Sequence, residues 1–123
     1  MLLSEAIRTG ARLRPQAFGG LFCPVIHGGP LGSCALGAAA EATYGSVAAA
    51  LAAAAGLPRA NPEPWGLLDR YPLLAEWDPP LPCGCSLEKV GPLSVDAAIT
   101  HLNDFHSWPR ERIAKWVAML ERK

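Results

Sequence analysis

With 123 residues, half of them apolar, the chain has material for one hydrophobic core and one domain. Eleven basic residues balance eleven acidic ones, which excludes an overall field that would hold nucleic acid or an anionic membrane and leaves only local patches. Twelve Gly and twelve Pro imply many breaks between short elements.

The opening, Met1-Leu-Leu-Ser-Glu-Ala-Ile-Arg, is amphipathic and does not lead a basic segment into an apolar run. No secretory leader is expected, and a cytoplasmic setting with reduced or metal-bound thiols is. Leu3, Ala6, Ile7 and Ala11 opposite Glu5, Arg8 and Arg12 predict a first helix from Leu3 to Leu13, stopped by Pro15. Two short strands, Ala17 to Cys23 and Val25 to His27, are expected to form a hairpin or edge, with Gly28-Gly29-Pro30 as a turn. Ser33 is expected to cap a helix starting at Cys34 and ending at Tyr44-Gly45, with Gly45 left-handed. Ser46 caps the next, Val47 to Ala55. The stretch from Ala35 to Ala55 could pass for a membrane span, but it holds Glu41, Thr43, Tyr44, Gly45 and Ser46, and alanine partitions weakly into lipid, so no membrane contact is expected. These small-residue helices can approach neighbours closely and belong at the centre of the fold.

Residues 58 to 66 read as a linker, followed by a short helix through Asp69 and a turn opening at Tyr71-Pro72. Ser94 is expected to cap Val95 to Leu102, with Asn103-Asp104 ending that helix. Ser107 is expected to cap a last helix with Pro109 in its first turn, burying Ile113, Trp116, Val117 and Leu120. The fold class is therefore mainly α (α+β): one small helical domain over 1–123 with a minor β-hairpin. Residues 1–57 form a helical core, 58–82 a Pro-rich connector, and 83–123 a zinc-finger-like Cys/His unit with the final helices.

That unit carries the chemistry. Cys83-Gly-Cys85 and His101-Leu-Asn-Asp-Phe-His106 supply two thiols and two imidazoles, the donor set of a tetrahedral zinc ion, in the order that small ββα zinc units use. Gly84 gives the backbone freedom for a tight turn between the thiols. Histidines five apart lie on different faces of an unbroken α-helix, so they converge only if the helix ends between them. One residue between the cysteines is fewer than the usual two to four. A Cys83–Cys85 redox dithiol remains open, as do two loop cysteines beside capping or solvent-facing histidines. Zinc is the favoured reading, and with four protein ligands its role would be structural. It would anchor a C-terminal third whose apolar content looks thin.

The run Ile99-Thr-His-Leu-Asn-Asp-Phe-His-Ser-Trp-Pro-Arg-Glu-Arg-Ile-Ala-Lys-Trp resembles a motif of small, mostly uncharacterised bacterial and phage proteins, in which paired cysteines precede His-Leu-Asn-Asp and a later Ile-Ala-x-Trp. Gly32-Ser-Cys-Ala-Leu-Gly-Ala-Ala and the opening Glu5-Ala-Ile-Arg with Arg14-Pro-Gln are similar to them too. The resemblance covers about a third of the chain, implies one small domain, and carries no activity with it. Within the motif, Asn103 and Asp104 are expected to bond backbone amides of the turn, with Trp108 and Trp116 packing the corner.

Three function classes follow. The first is a non-catalytic, zinc-stabilised interaction or assembly module, partnered by another protein or by its own copies, with Trp65 and Trp77 as interface residues. The second is a small DNA- or RNA-binding regulator using Arg110, Arg112 and Lys115 on an exposed face of the last helix. The third is a thiol-dependent enzyme in which Cys34, its pKa lowered by a helix start, pairs with His27. No phosphate-binding loop, paired carboxylates or nucleotide fingerprint is present, so an enzyme is the minority reading. Cys23 has no assigned role.

Overall fold

The structure is a computed structural model that describes residues 1–25, 29–55, 67–85 and 91–122. Helix α1 spans Leu3–Ala11, and strands β1 (Phe22–Pro24) and β2 (Leu31–Ser33) pair antiparallel. Helices α2 (Ala35–Tyr44) and α3 (Val47–Ala55) follow, then α4 (Leu67–Arg70) and a 3-10 turn, Pro72–Ala75. Helix α5 (Val95–Thr100) runs into a π-helical turn, His101–Phe105, and α6 (Arg110–Glu121) completes the fold. The mainly helical class with a minor hairpin is the one the sequence predicts. Among the described residues no helix is long and apolar enough to cross a membrane.

One continuous core joins both ends of the chain. Leu3, Ala6 and Ile7 of α1, Ala35, Leu36, Ala39 and Ala40 of α2, and Val95, Ile99, Leu102, Ile113 and Val117 of the C-terminal helices are all buried in it. The C-terminal third is thus well supplied with apolar contacts, contrary to the expectation that it would be thin. Helix α1 packs on both α2 and α6. Its closest approach is at Gly10, whose α-carbon faces the Ala38 carbonyl so tightly that a β-carbon would overlap it. Polar groups lock the same contacts. Arg14 donates two 2.7 Å bonds to the buried Glu41 carboxylate, which holds the guanidinium pKa above its ordinary value. Arg8 pairs with Glu111 across α1 and α6.

Several boundaries differ from expectation for identifiable reasons. The hairpin pairs Phe22–Pro24 with Leu31–Ser33, and of the strand expected from Val25 to His27 residues 26 and 27 lie outside the described residues. Ser33 is therefore a strand residue, and Cys34 itself caps α2, its sulfur accepting the Gly37 amide proton at 3.3 Å. Gly45 ends α2 in the left-handed region and Ser46 Oγ caps α3 at the Ala49 amide, as predicted. Pro109 takes the cap position of α6, while Ser107 has a positive φ of 53° and turns the chain between helices. The linker at 58 to 66, with Trp65, lies outside the described residues.

Candidate metal centre

Two segments carry the sulfur and nitrogen donors, and each is anchored from below. Cys83 and Cys85 sit on a loop after the 3-10 turn, and Gly84 between them has a φ of 79°, the left-handed conformation that makes so tight a turn cheap. The loop is held down by the buried Trp116, whose indole N–H donates to the Pro80 carbonyl at 3.1 Å. Asp78 N–H to Leu93 O and Val95 N–H to Glu76 O, both 2.8 Å, pin its approach to the start of α5. The cysteines thus lie in a loop turn, and the nearest pairing among the described residues is the single Trp77–Ser94 bridge.

The histidines converge by a different route from a helix end between them. At 3.6 residues per turn, positions five apart point about 140° away from each other. The chain widens at His101 into π-type winding, with the His106 N–H bonded back to the His101 carbonyl at 3.3 Å. That i to i+5 closure stacks residues five apart on one face. Asn103 sits at the centre of this turn, fully buried, and all of its amide capacity is spent on remote partners and its neighbour. Its Oδ1 accepts from Ala35 N and Gln16 Nε2, and its Nδ2 donates to Ala17 O and Asp104 Oδ1. Asn103 was expected to serve the local turn; it ties that turn to the loop after α1 and to the start of α2.

The result is a compact donor cluster. One atom from each of Cys83, Cys85, His101 and His106 lies within 4.8 Å of all the others. His106 Nε2 is 3.1 Å from His101 Nε2 and 3.3 Å from Cys85 Sγ. With metal–nitrogen bonds of about 2.05 Å and metal–sulfur bonds of about 2.3 Å, tetrahedral edges are about 3.3 Å (N to N) and 3.6 Å (N to S). A single proton on His106 can bridge to only one of its two neighbours, whereas a cation satisfies all four donors together. Burial first, and then the His106 charge, hold the His101 pKa below the usual histidine value, favouring the neutral ring that a metal requires. All four residues are half-buried. These four residues are positioned to bind a metal ion.

Phe105, unremarked in the sequence, joins the cluster. Its ring stacks on His101 with centroids 5.2 Å apart and planes 11° apart, and meets His106 edge-on at 5.0 Å. The signal was there in its place within the His-to-His interval, but only the π-turn puts the ring against both imidazoles.

The remaining candidate residues separate clearly. Arg110 is not on the exposed face of α6: it is 8% exposed and donates to Ser33 O, Ser33 Oγ, Ala11 O and Arg14 O. Burial lowers its pKa. Its guanidinium is spent on holding the hairpin and the end of α1, so it is withdrawn from the nucleic-acid set. Arg112 and Lys115 are exposed, and Arg112 lies 3.7 Å over the Trp108 ring. Cys34 is 7% exposed, and desolvation raises its thiol pKa, the reverse of the lowering expected from a helix start. The proposed partner of Cys34, His27, lies outside the described residues. Trp77 is 67% exposed. None of the four cysteines is in a disulfide.

Comparison with protein-family models, with curated proteins and with solved structures found no match for this chain.

Proposed function

We propose that the chain is a non-catalytic interaction or assembly module stabilised by one zinc ion at Cys83, Cys85, His101 and His106. The observation that carries this is the convergence of two sulfurs and two imidazole nitrogens from separate segments on one point. A sulfur–nitrogen tetrahedron selects zinc among common divalent ions, and four protein donors leave no open position for substrate or activated water. The module acts in the cytoplasm, where a reducing setting keeps thiolates available. The exposed Trp77 is its candidate contact for a protein partner or a second copy.

Elemental analysis of the protein purified under reducing conditions tests the metal. One zinc per chain is expected, falling to near zero when each of the four ligands is replaced in turn by Ser or Gln. A protein that takes up no zinc with its thiols reduced overturns the proposal. Light scattering over a concentration series tests assembly, and a strict monomer that captures no partner removes that part.

A second reading is DNA or RNA binding through Arg112, Lys115 and Trp108, supported by the exposed Arg112 guanidinium held 3.7 Å over the half-buried Trp108 ring. Retardation of a random duplex that falls steeply with salt would favour it; no retardation at low salt would remove it.

A further inference from the structure

Phe105 is the most exposed large apolar side chain among the described residues, at 75%, so burial in the core does not account for it. Yet its ring is not loose. It lies nearly parallel to the His101 imidazole and edge-on to that of His106, while those two imidazoles are themselves 4.7 Å apart and crossed at 81°. A phenyl ring in this place touches the two nitrogen ligands and leaves its far face to water. Three rings so arranged restrict one another, because neither imidazole can rotate about its χ2 without losing an aromatic contact.

We infer that Phe105 is the outer cover of the metal centre, a positioning residue that holds the two imidazoles at their ligating angles and slows release of the ion. This rests on the zinc centre proposed above and concerns its regulation. An imidazole ligand leaves a metal by swinging away and being replaced by water or a competing ligand. The stacked phenyl ring obstructs that swing and keeps water from the outer side of both rings. Residues that orient metal-bound histidines usually do so by a hydrogen bond to the second ring nitrogen. Here ring stacking does part of that work. The π-turn makes it available, since it brings residues 101 and 106 onto one face with residue 105 beside them.

The test uses the zinc-loaded full chain and Phe105→Ala, mixed with excess chromogenic chelator. The variant is expected to release zinc about three- to tenfold faster, the scale of one lost ring-ring contact. Phe105→Tyr, which keeps the stack, is expected to return the wild-type rate. The metal-free forms of wild type and Phe105→Ala are expected to melt at the same temperature, because the ring adds little to the core. Equal release rates, or a metal-free midpoint that drops as far as the loaded one, overturn the cover. So does a Phe105→Ala protein that binds no zinc at all, which would make the residue part of the scaffold. A wild-type chain that takes up no zinc overturns the metal centre itself, and is distinguished by the metal content measured before mixing.

Discussion

Asn103 is the residue on which the site and the fold meet. A buried amide with all its donors and acceptors engaged contributes modestly, but its removal leaves its partners stranded. In Asn103→Ala the buried Ala35 N–H and Ala17 carbonyl would each lose a bond, and the half-buried Gln16 amide would keep its bond to the Trp108 carbonyl. We expect a loss of about 3 kcal/mol in unfolding free energy, read from urea denaturation of the metal-free protein. A change below about 1 kcal/mol would show that water or a rearranged turn replaces these bonds. The four residues positioned to bind a metal ion were legible from residue type and spacing alone, because chelation demands particular atoms within a short reach. Asn103 was not, since three of its partners lie 68 to 87 positions away and nothing local marks them. Arg110 misled for the same reason: on a helical wheel it looks solvent-facing, and only the return of the hairpin and the end of α1 buries it.

At the scale of elements, the helices followed their apolar periodicity, and α1, α2, α3 and α6 stand close to where it predicts. The hairpin did not, because Gly28-Gly29-Pro30 is compatible with a strand on either side and Leu31–Ser33 reads equally as the lead-in to a helix. The π-turn was not read: histidines five apart were reconciled by ending the helix at Asn103-Asp104, where the chain instead continues in wider winding through Phe105. The α1–α2 crossing is the place where sequence and packing agree most tightly. A methyl group at Gly10 would overlap the backbone carbonyl of Ala38, and a backbone atom inside a helix cannot swing aside as a side chain can. Gly10→Ala would raise the intrinsic helix propensity of α1, yet we expect a net loss of about 2 kcal/mol as the two helices are forced apart. Thermal unfolding checks the sign. A midpoint equal to or above wild type would mean that the helices slide freely past one another, and the close crossing would lose its structural role.

For the whole molecule the question is what the metal adds to a core that already spans both ends. Val95, Ile99, Leu102, Ile113 and Val117 pack with Leu3 and Ile7 in a single cluster, so the C-terminal helices are expected to hold their place without coordination. An ion held at Cys83, Cys85, His101 and His106 would instead link the cysteine loop to the π-turn. Binding to the native state alone stabilises by mass action, about 2.7 kcal/mol when free metal is a hundredfold above its dissociation constant. Stripping the zinc-loaded protein with a chelator should therefore lower the melting temperature while leaving the far-ultraviolet helical signal largely intact. Amide exchange should accelerate at residues 83 to 85 and 101 to 106, whereas the amides of α1, α2 and α6 that face the core should stay protected. Collapse of all helical signal on chelation would contradict this, and would mean that the cluster of buried side chains cannot hold the chain alone. A protein that keeps its core and loses only the π-turn would have a surface set by metal occupancy, because the half-buried ligands and the exposed Phe105 would change position together.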